Sequence, residues 1–223
     1  MKKTTFVLAA ILAALPISAS AGLFGSVTNA VTGGGSAQSS GDPVAASNQL
    51  VGQYVAGNIS VLTAQKDMAQ ALHLKGQVAT IDATLKSLKS SASGKVGKSV
   101  LEKNNNIISS SSKAITAEQA KKPILSAEDK VDYAKGLGSL GGGVLHYVGM
   151  KNAASSFSSS ASSLSPMAAA QDASALSSGL YVVKSLPSSI SNLGSSLNEA
   201  VSFAKSNKIA VPASATNALG SLK

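Results

Sequence analysis

The chain has 223 residues and a formal net charge of +9, with 44% hydrophobic, 13% charged and 4% aromatic residues; 40 are Ser, and all 19 basic residues are Lys. Without Cys there is no disulfide framework, thiol nucleophile, iron–sulfur cluster, Cys-based zinc site or lipid-modified N-terminal Cys. Without Arg there is no guanidinium fork for bidentate recognition of phosphate or guanine, which argues against sequence-specific nucleic-acid binding.

The chain opens with Met1-Lys2-Lys3, an apolar run from Phe6 to Leu15, Pro16 and then Ala19-Ser20-Ala21. A charged start, a short apolar core and a small-x-small site have the form of a secretory signal. The run is too short to cross a bilayer, which takes about 20 residues. Cleavage near Ala21 is expected to leave an exported chain of charge about +7, periplasmic or secreted. Such compartments normally lack ATP and NAD(P)H, so no cofactor is expected.

Residues 22–41 read as a flexible leader, with Gly33-Gly34-Gly35 and Ser39-Ser40-Gly41 of linker composition. Ahead of these glycines, Leu23, Phe24, Val27, Ala30 and Val31 fall at helical spacing and are candidates for membrane or helix contact. Residues 42–223 read as one helical domain.

Asp42-Pro43 predicts a capped helix start. Val44, Val51, Val55, Ile59, Leu62, Ala69 and Leu72 then form one stripe, giving a helix from 43 to about 73, roughly 45 Å long. Gly76 marks the expected break. Val78, Ile81, Leu85 and Leu88 make a second stripe, which ends in Ser90 to Gly94. Val100, Leu101, Ile107, Ile108 and Ile115 make a third, interrupted by Asn104, Asn105 and Asn106 and stopped by Lys121-Lys122-Pro123.

Ser126 with Asp129 three residues on has capping-box spacing and predicts a fourth helix. Its apolar positions run from Val131 to Leu164 through a Gly-rich middle. A fifth stripe from Met167 to Leu186 is expected to stop at Pro187, and a sixth spans Ile190 to Ala204. The tail from Pro212 to Lys223 adds one short turn of helix. Strict alternation is absent, so no strand is expected. The predicted fold is all-α: an antiparallel bundle of five to six long amphipathic helices behind the flexible leader.

No catalytic constellation emerges. Gly136-Leu137-Gly138-Ser139-Leu140-Gly141 matches G-x-G-x-x-G, but a helical pattern precedes it where a dinucleotide fold needs a strand. No G-x-S-x-G elbow is present, and only His73 and His146 could serve a Ser as an imidazole base. No metal site is expected: Glu128, Asp129 and Asp132 cluster at a helix start, where acids favour the dipole.

Two surfaces remain as candidates. Lys86, Lys89, Lys95, Lys98 and Lys103 fall close together, opposed only by Glu102; they read as a contact for an anionic envelope component or membrane surface. Residues 136–150 carry no fixed charge, and Gly138 with Gly142 forms a G-x-x-x-G pair suited to close helix contact or membrane entry. The first functional reading is an exported, non-enzymatic bundle acting by binding or assembly, with a protein partner, self-association or an anionic envelope component. The long helices and the Gly-rich apolar segment resemble the architecture of helical pore-forming toxins. That resemblance implies the alternative, a membrane-active protein using 136–150, the 22–31 leader, or both.

Overall fold

The computed structural model describes residues 42–91, 96–165, 170 and 172–223. Residues 1–41, with the expected signal segment and leader and with Leu23 and Phe24, lie outside them, as do Lys95 and Met167. Among the described residues every regular element is a helix: α1 Pro43–Ala71, α2 Lys75–Ser91, α3 Lys98–Ala120, α4 Ala127–Gly149, α5 Lys151–Ser162, α6 Ala173–Ser206 and α7 Ala213–Gly220.

The two starts legible as capping signals form as such. Asp42 Oδ1 accepts from the Val44 and Ala45 amides at 2.9 and 3.2 Å, and Pro43 takes the first turn, where an N–H would lack a partner anyway. At α4 the Ser126 hydroxyl accepts from the Asp129 amide at 3.1 Å, and the Asp129 carboxylate accepts from the Ser126 amide at 3.0 Å.

Side-chain meetings give the helix directions. Gly57 approaches Tyr147, Val61 approaches Gly143, and Ala64 and Met68 approach Gly136, so α4 runs antiparallel to α1. Lys66 pairs with Asp82 and Gln77 with Ser111, so α2 descends beside α1 and α3 rises again. Tyr54 meets Ser189 and Thr116 meets Glu199, so α6 runs parallel to α1 and α3.

Helix α1 is the centre of this arrangement. A single apolar stripe understates it: its buried residues include Ser47, Gly57, Asn58, Gln65 and Asp67 beside Leu50, Tyr54, Val61, Leu62 and Met68. It is covered on most sides by α2, α3, α4 and α6, so polar side chains inside it need partners within the bundle.

Small residues set the α1–α4 spacing. A Cβ at Gly136 would stand 2.8 Å from the Ala64 carbonyl oxygen, and one at Gly143 would stand 2.9 Å from Val61 Cγ2. On the other side of α4, a Cβ at Gly141 would stand 2.6 Å from the Ala215 backbone in α7. Only glycine lets these backbones come so close.

Three sequence expectations are corrected. The break after α1 falls at Leu72–Leu74, where His73 takes φ 57°, and Gly76 lies inside the first turn of α2. The fourth helix is divided at Met150, whose φ of −77° and ψ of −11° keep it right-handed, so α5 continues from α4 through a local interruption. Pro187 does not stop a helix; α6 runs 34 residues straight through it. Pro187 is exposed, while Val182, Leu186, Ile190, Leu193 and Leu197 stay buried in one phase across it. Burying that stripe outweighs the roughly 3 kcal/mol cost of an interior proline.

The parallel helices α1, α3 and α6 end at one pole of the bundle, and each is followed by a basic residue in the left-handed region: His73 (φ 57°), Lys122 (φ 53°) and Lys208 (φ 55°). Beyond α1 and α6 the chain closes the helix with a 6→1 bond, Leu74 N–H to Ala69 O and Ile209 N–H to Ala204 O, both 2.8 Å. After α3 the same position is Pro123, which has no N–H, and the single bond Lys122 N–H to Gln119 O (2.9 Å) remains. Non-glycine residues there cost about 1 kcal/mol each, offset in part after α3 and α6 by placing the Lys122 and Lys208 ammoniums at the negative ends of the helix dipoles.

Candidate functional site

The α2–α3 hairpin lies on one flank of the bundle. Leu85 and Leu88 of α2 and Leu101 and Ile108 of α3 face inward, while Lys86, Lys89, Lys98 and Lys103 are all exposed. With Gln77 level with Ser111, the antiparallel register brings Lys86 level with residues near 102 and Lys89 level with residues near 99. Four of the five lysines singled out in the sequence therefore gather at one end of the hairpin. Lys75 and Lys113, which sequence proximity did not flag, lie further along the same two helices and are also exposed.

The acids of this hairpin are already engaged. Asp82 pairs with Lys66 of α1 at 2.7 Å, and Glu102 with Lys98 at 3.5 Å; the second pair is half-exposed and therefore weak. Among the described residues Lys75, Lys86, Lys89, Lys103 and Lys113 have no ion pair. The start of α3 adds to the positive field. Gly97 offers no side-chain cap, and no acid occupies the first turn, whereas α4 begins with Glu128 and Asp129.

The Gly-rich segment sits elsewhere, inside the bundle. Gly138 packs near Pro212, 3.3 Å from a Cβ placed there, while a Cβ at Gly142 would meet nothing within 4 Å. The close approaches are made instead by Gly136, Gly141 and Gly143. No helix among the described residues is long and apolar enough to cross a membrane.

A polar network threads the centre. Asn105 Nδ2 donates to the hydroxyls of Tyr54 (2.7 Å) and Tyr181 (2.8 Å), and the Tyr54 and Ser189 hydroxyls lie 3.0 Å apart. Tyr147 donates to Asn58 Oδ1 and meets Tyr54 edge-on at 5.2 Å. Burial pushes the Tyr54 and Tyr147 phenols up, so both remain protonated donors at neutral pH. Of the asparagines that interrupt the third stripe in sequence, Asn105 thus ties α3 to α1 and α6.

The two histidines have structural partners. His146 Nε2 lies 2.9 Å from the Gln53 carbonyl oxygen, to which it donates, and His73 Nε2 lies 3.4 Å from Asp129 Oδ2. Asp129 is held below the usual carboxylate range, chiefly by the Ser126 hydroxyl and amide. Asp67 goes the other way: burial raises it, and Lys135 at 3.4 Å compensates only in part. Among the described residues no group of three His, Asp or Glu side chains could hold a metal ion.

Comparison of the chain with protein-family models, with curated proteins and with solved structures finds no match. The functional reading therefore rests on the residues themselves.

Proposed function

We propose that this chain is an exported, non-enzymatic helical-bundle protein that acts by binding, holding an anionic component of the cell envelope or its surroundings against the α2–α3 hairpin. The observation that carries the reading is the uncompensated charge of Lys86, Lys89 and Lys103 beside Lys98, on a hairpin whose acids are already paired. Lys side chains give diffuse, salt-screened attraction to polyanions rather than recognition of one sequence or shape. The exported state is read from the N-terminal 21 residues.

The alternative through residues 136–150 has less support. To enter a bilayer, α4 would have to leave Ala64 and Val61 of α1 and Ala215 of α7, its closest neighbours.

Binding to a soluble sulfated polysaccharide across a salt series tests the proposal. The native protein is expected to bind with log K falling linearly in log salt. Lys86→Gln, Lys89→Gln, Lys98→Gln and Lys103→Gln together should lower affinity by about tenfold or more at low salt and flatten the slope. Equal affinity and slope for native and fourfold variant would overturn the proposal.

A further inference from the structure

The bundle pole opposite the lysine cluster carries the most exposed large apolar side chain among the described residues: Ile124 is 99% exposed. It is held out rather than left to fold back. Lys122 turns the chain through the left-handed region, Pro123 fixes the next φ, and the loop is anchored on both sides, by buried Gln119 before it and by buried Leu125 and the Ser126 cap after it. Val131, in the second turn of α4, is a further outward apolar residue, 68% exposed.

Scattered apolar residues on a surface are ordinary; the charges around this one are not balanced. Glu118 is paired with Lys121 at 2.7 Å, and Asp129 is held by Ser126 and faces His73. At the same pole Lys75, Lys122, Lys130, Lys205 and Lys208 remain, against Glu128, Asp129 and Asp132. An aliphatic side chain at a pinned loop tip, on a pole where exposed lysines outnumber acids, matches the head-group boundary of an anionic bilayer. The apolar group enters the acyl edge while lysine ammoniums stay among the phosphates.

We propose that the α3–α4 loop, residues 121–126, is a membrane-contacting tip that sets Ile124 into the surface of an anionic lipid bilayer. One aliphatic anchor with a few lysines gives weak, reversible attachment. This site is independent of the hairpin lysines: the 23 residues of α3 separate the two poles by roughly 35 Å.

The chain contains no Trp, so Ile124→Trp in the exported protein introduces a single indole reporter at the tip. With phosphatidylglycerol vesicles at low salt, its emission should shift to the blue and be quenched by lipids brominated on the acyl chains. Lys113→Trp, on the exposed side of α3, should stay unquenched. In co-sedimentation with the same vesicles, Ile124→Ser should bind about tenfold more weakly than the native protein. An unshifted, unquenched tip indole on vesicle-bound Ile124→Trp protein, or equal binding of native and Ile124→Ser protein, would overturn the proposal. Blue shift on adding a protein extract without vesicles, and none with vesicles, would overturn it in favour of a protein partner. The fourfold hairpin variant separates the two readings. If it loses polysaccharide binding while the tip indole stays in water, the tip proposal falls and the hairpin stands; the reverse result leaves the tip alone.

Discussion

The α1–α4 seam and the α2–α3 hairpin are built from much the same residues, Ala, Ser, Gly and Lys with a few aliphatics, yet they behave as opposites. In the seam, glycines bring backbones within reach of one another, and buried polar side chains of α1 find partners on α4: Asn58 accepts from Tyr147, and Asp67 lies beside Lys135. In the hairpin only one face is covered, and Lys86, Lys89 and Lys103 stand outside without an ion pair. Composition alone does not separate scaffold from surface here. What separates them is whether a helix is surrounded, as α1 is, or flanked on one side, as α2 is.

The contrast predicts a graded series of stabilities, read by urea unfolding. Gly136→Val should be the most damaging, by about 3 kcal/mol, because its side chain must displace the Ala64 backbone and Met68. Tyr147→Phe should cost about 2 kcal/mol, since it strands the buried Asn58 amide without its donor.

Asp67→Asn should act in the opposite direction and by less. The folded-state value of Asp67 lies above its unfolded value, so ionising it in the fold lowers stability as pH rises from the ordinary carboxylate range through that raised value. The variant should therefore be more stable than the native protein at neutral pH, and the difference should vanish in acid. Equal pH profiles would show that Lys135 compensates fully.

Gly142→Ala should stabilise by about 0.5–1 kcal/mol, because nothing lies within 4 Å of the new methyl and alanine favours the helix. A loss there would mean that the G-x-x-x-G pair, not the 136/141/143 set, makes the close contact. Smallest of all, Lys86→Gln with Lys89→Gln and Lys103→Gln should leave stability within about 0.5 kcal/mol, as exposed positions without partners do.

Much of the fold was legible because its signals are local. Asp42-Pro43, the Ser126–Asp129 box and Lys121-Lys122-Pro123 each act within one turn, and each marks a real helix boundary. Pro187 misled because its cost is local, while its compensation, the buried stripe from Val182 to Leu197, is tertiary. The left-handed residues at His73, Lys122 and Lys208 were hidden because glycine or asparagine is the usual marker of that conformation. Asn105 read as a flaw in a stripe, since its partners Tyr54 and Tyr181 are distant in sequence. Of the candidate site, the lysine cluster was visible from spacing; the pairing of Asp82 and Glu102, which leaves it uncompensated, needed three dimensions. Ile124 gave no signal, because only its environment distinguishes it from its buried neighbour Leu125.

The central claim, a cationic hairpin presented by a scaffold that does not rearrange, is tested most directly by native-state hydrogen exchange with and without a soluble sulfated polysaccharide. The account predicts slower exchange around Lys86, Lys89, Lys98 and Lys103, with the amides of α1 and α4 unchanged. Exchange that is unaltered in α2 and α3, or accelerated along α1 and α4, would contradict it.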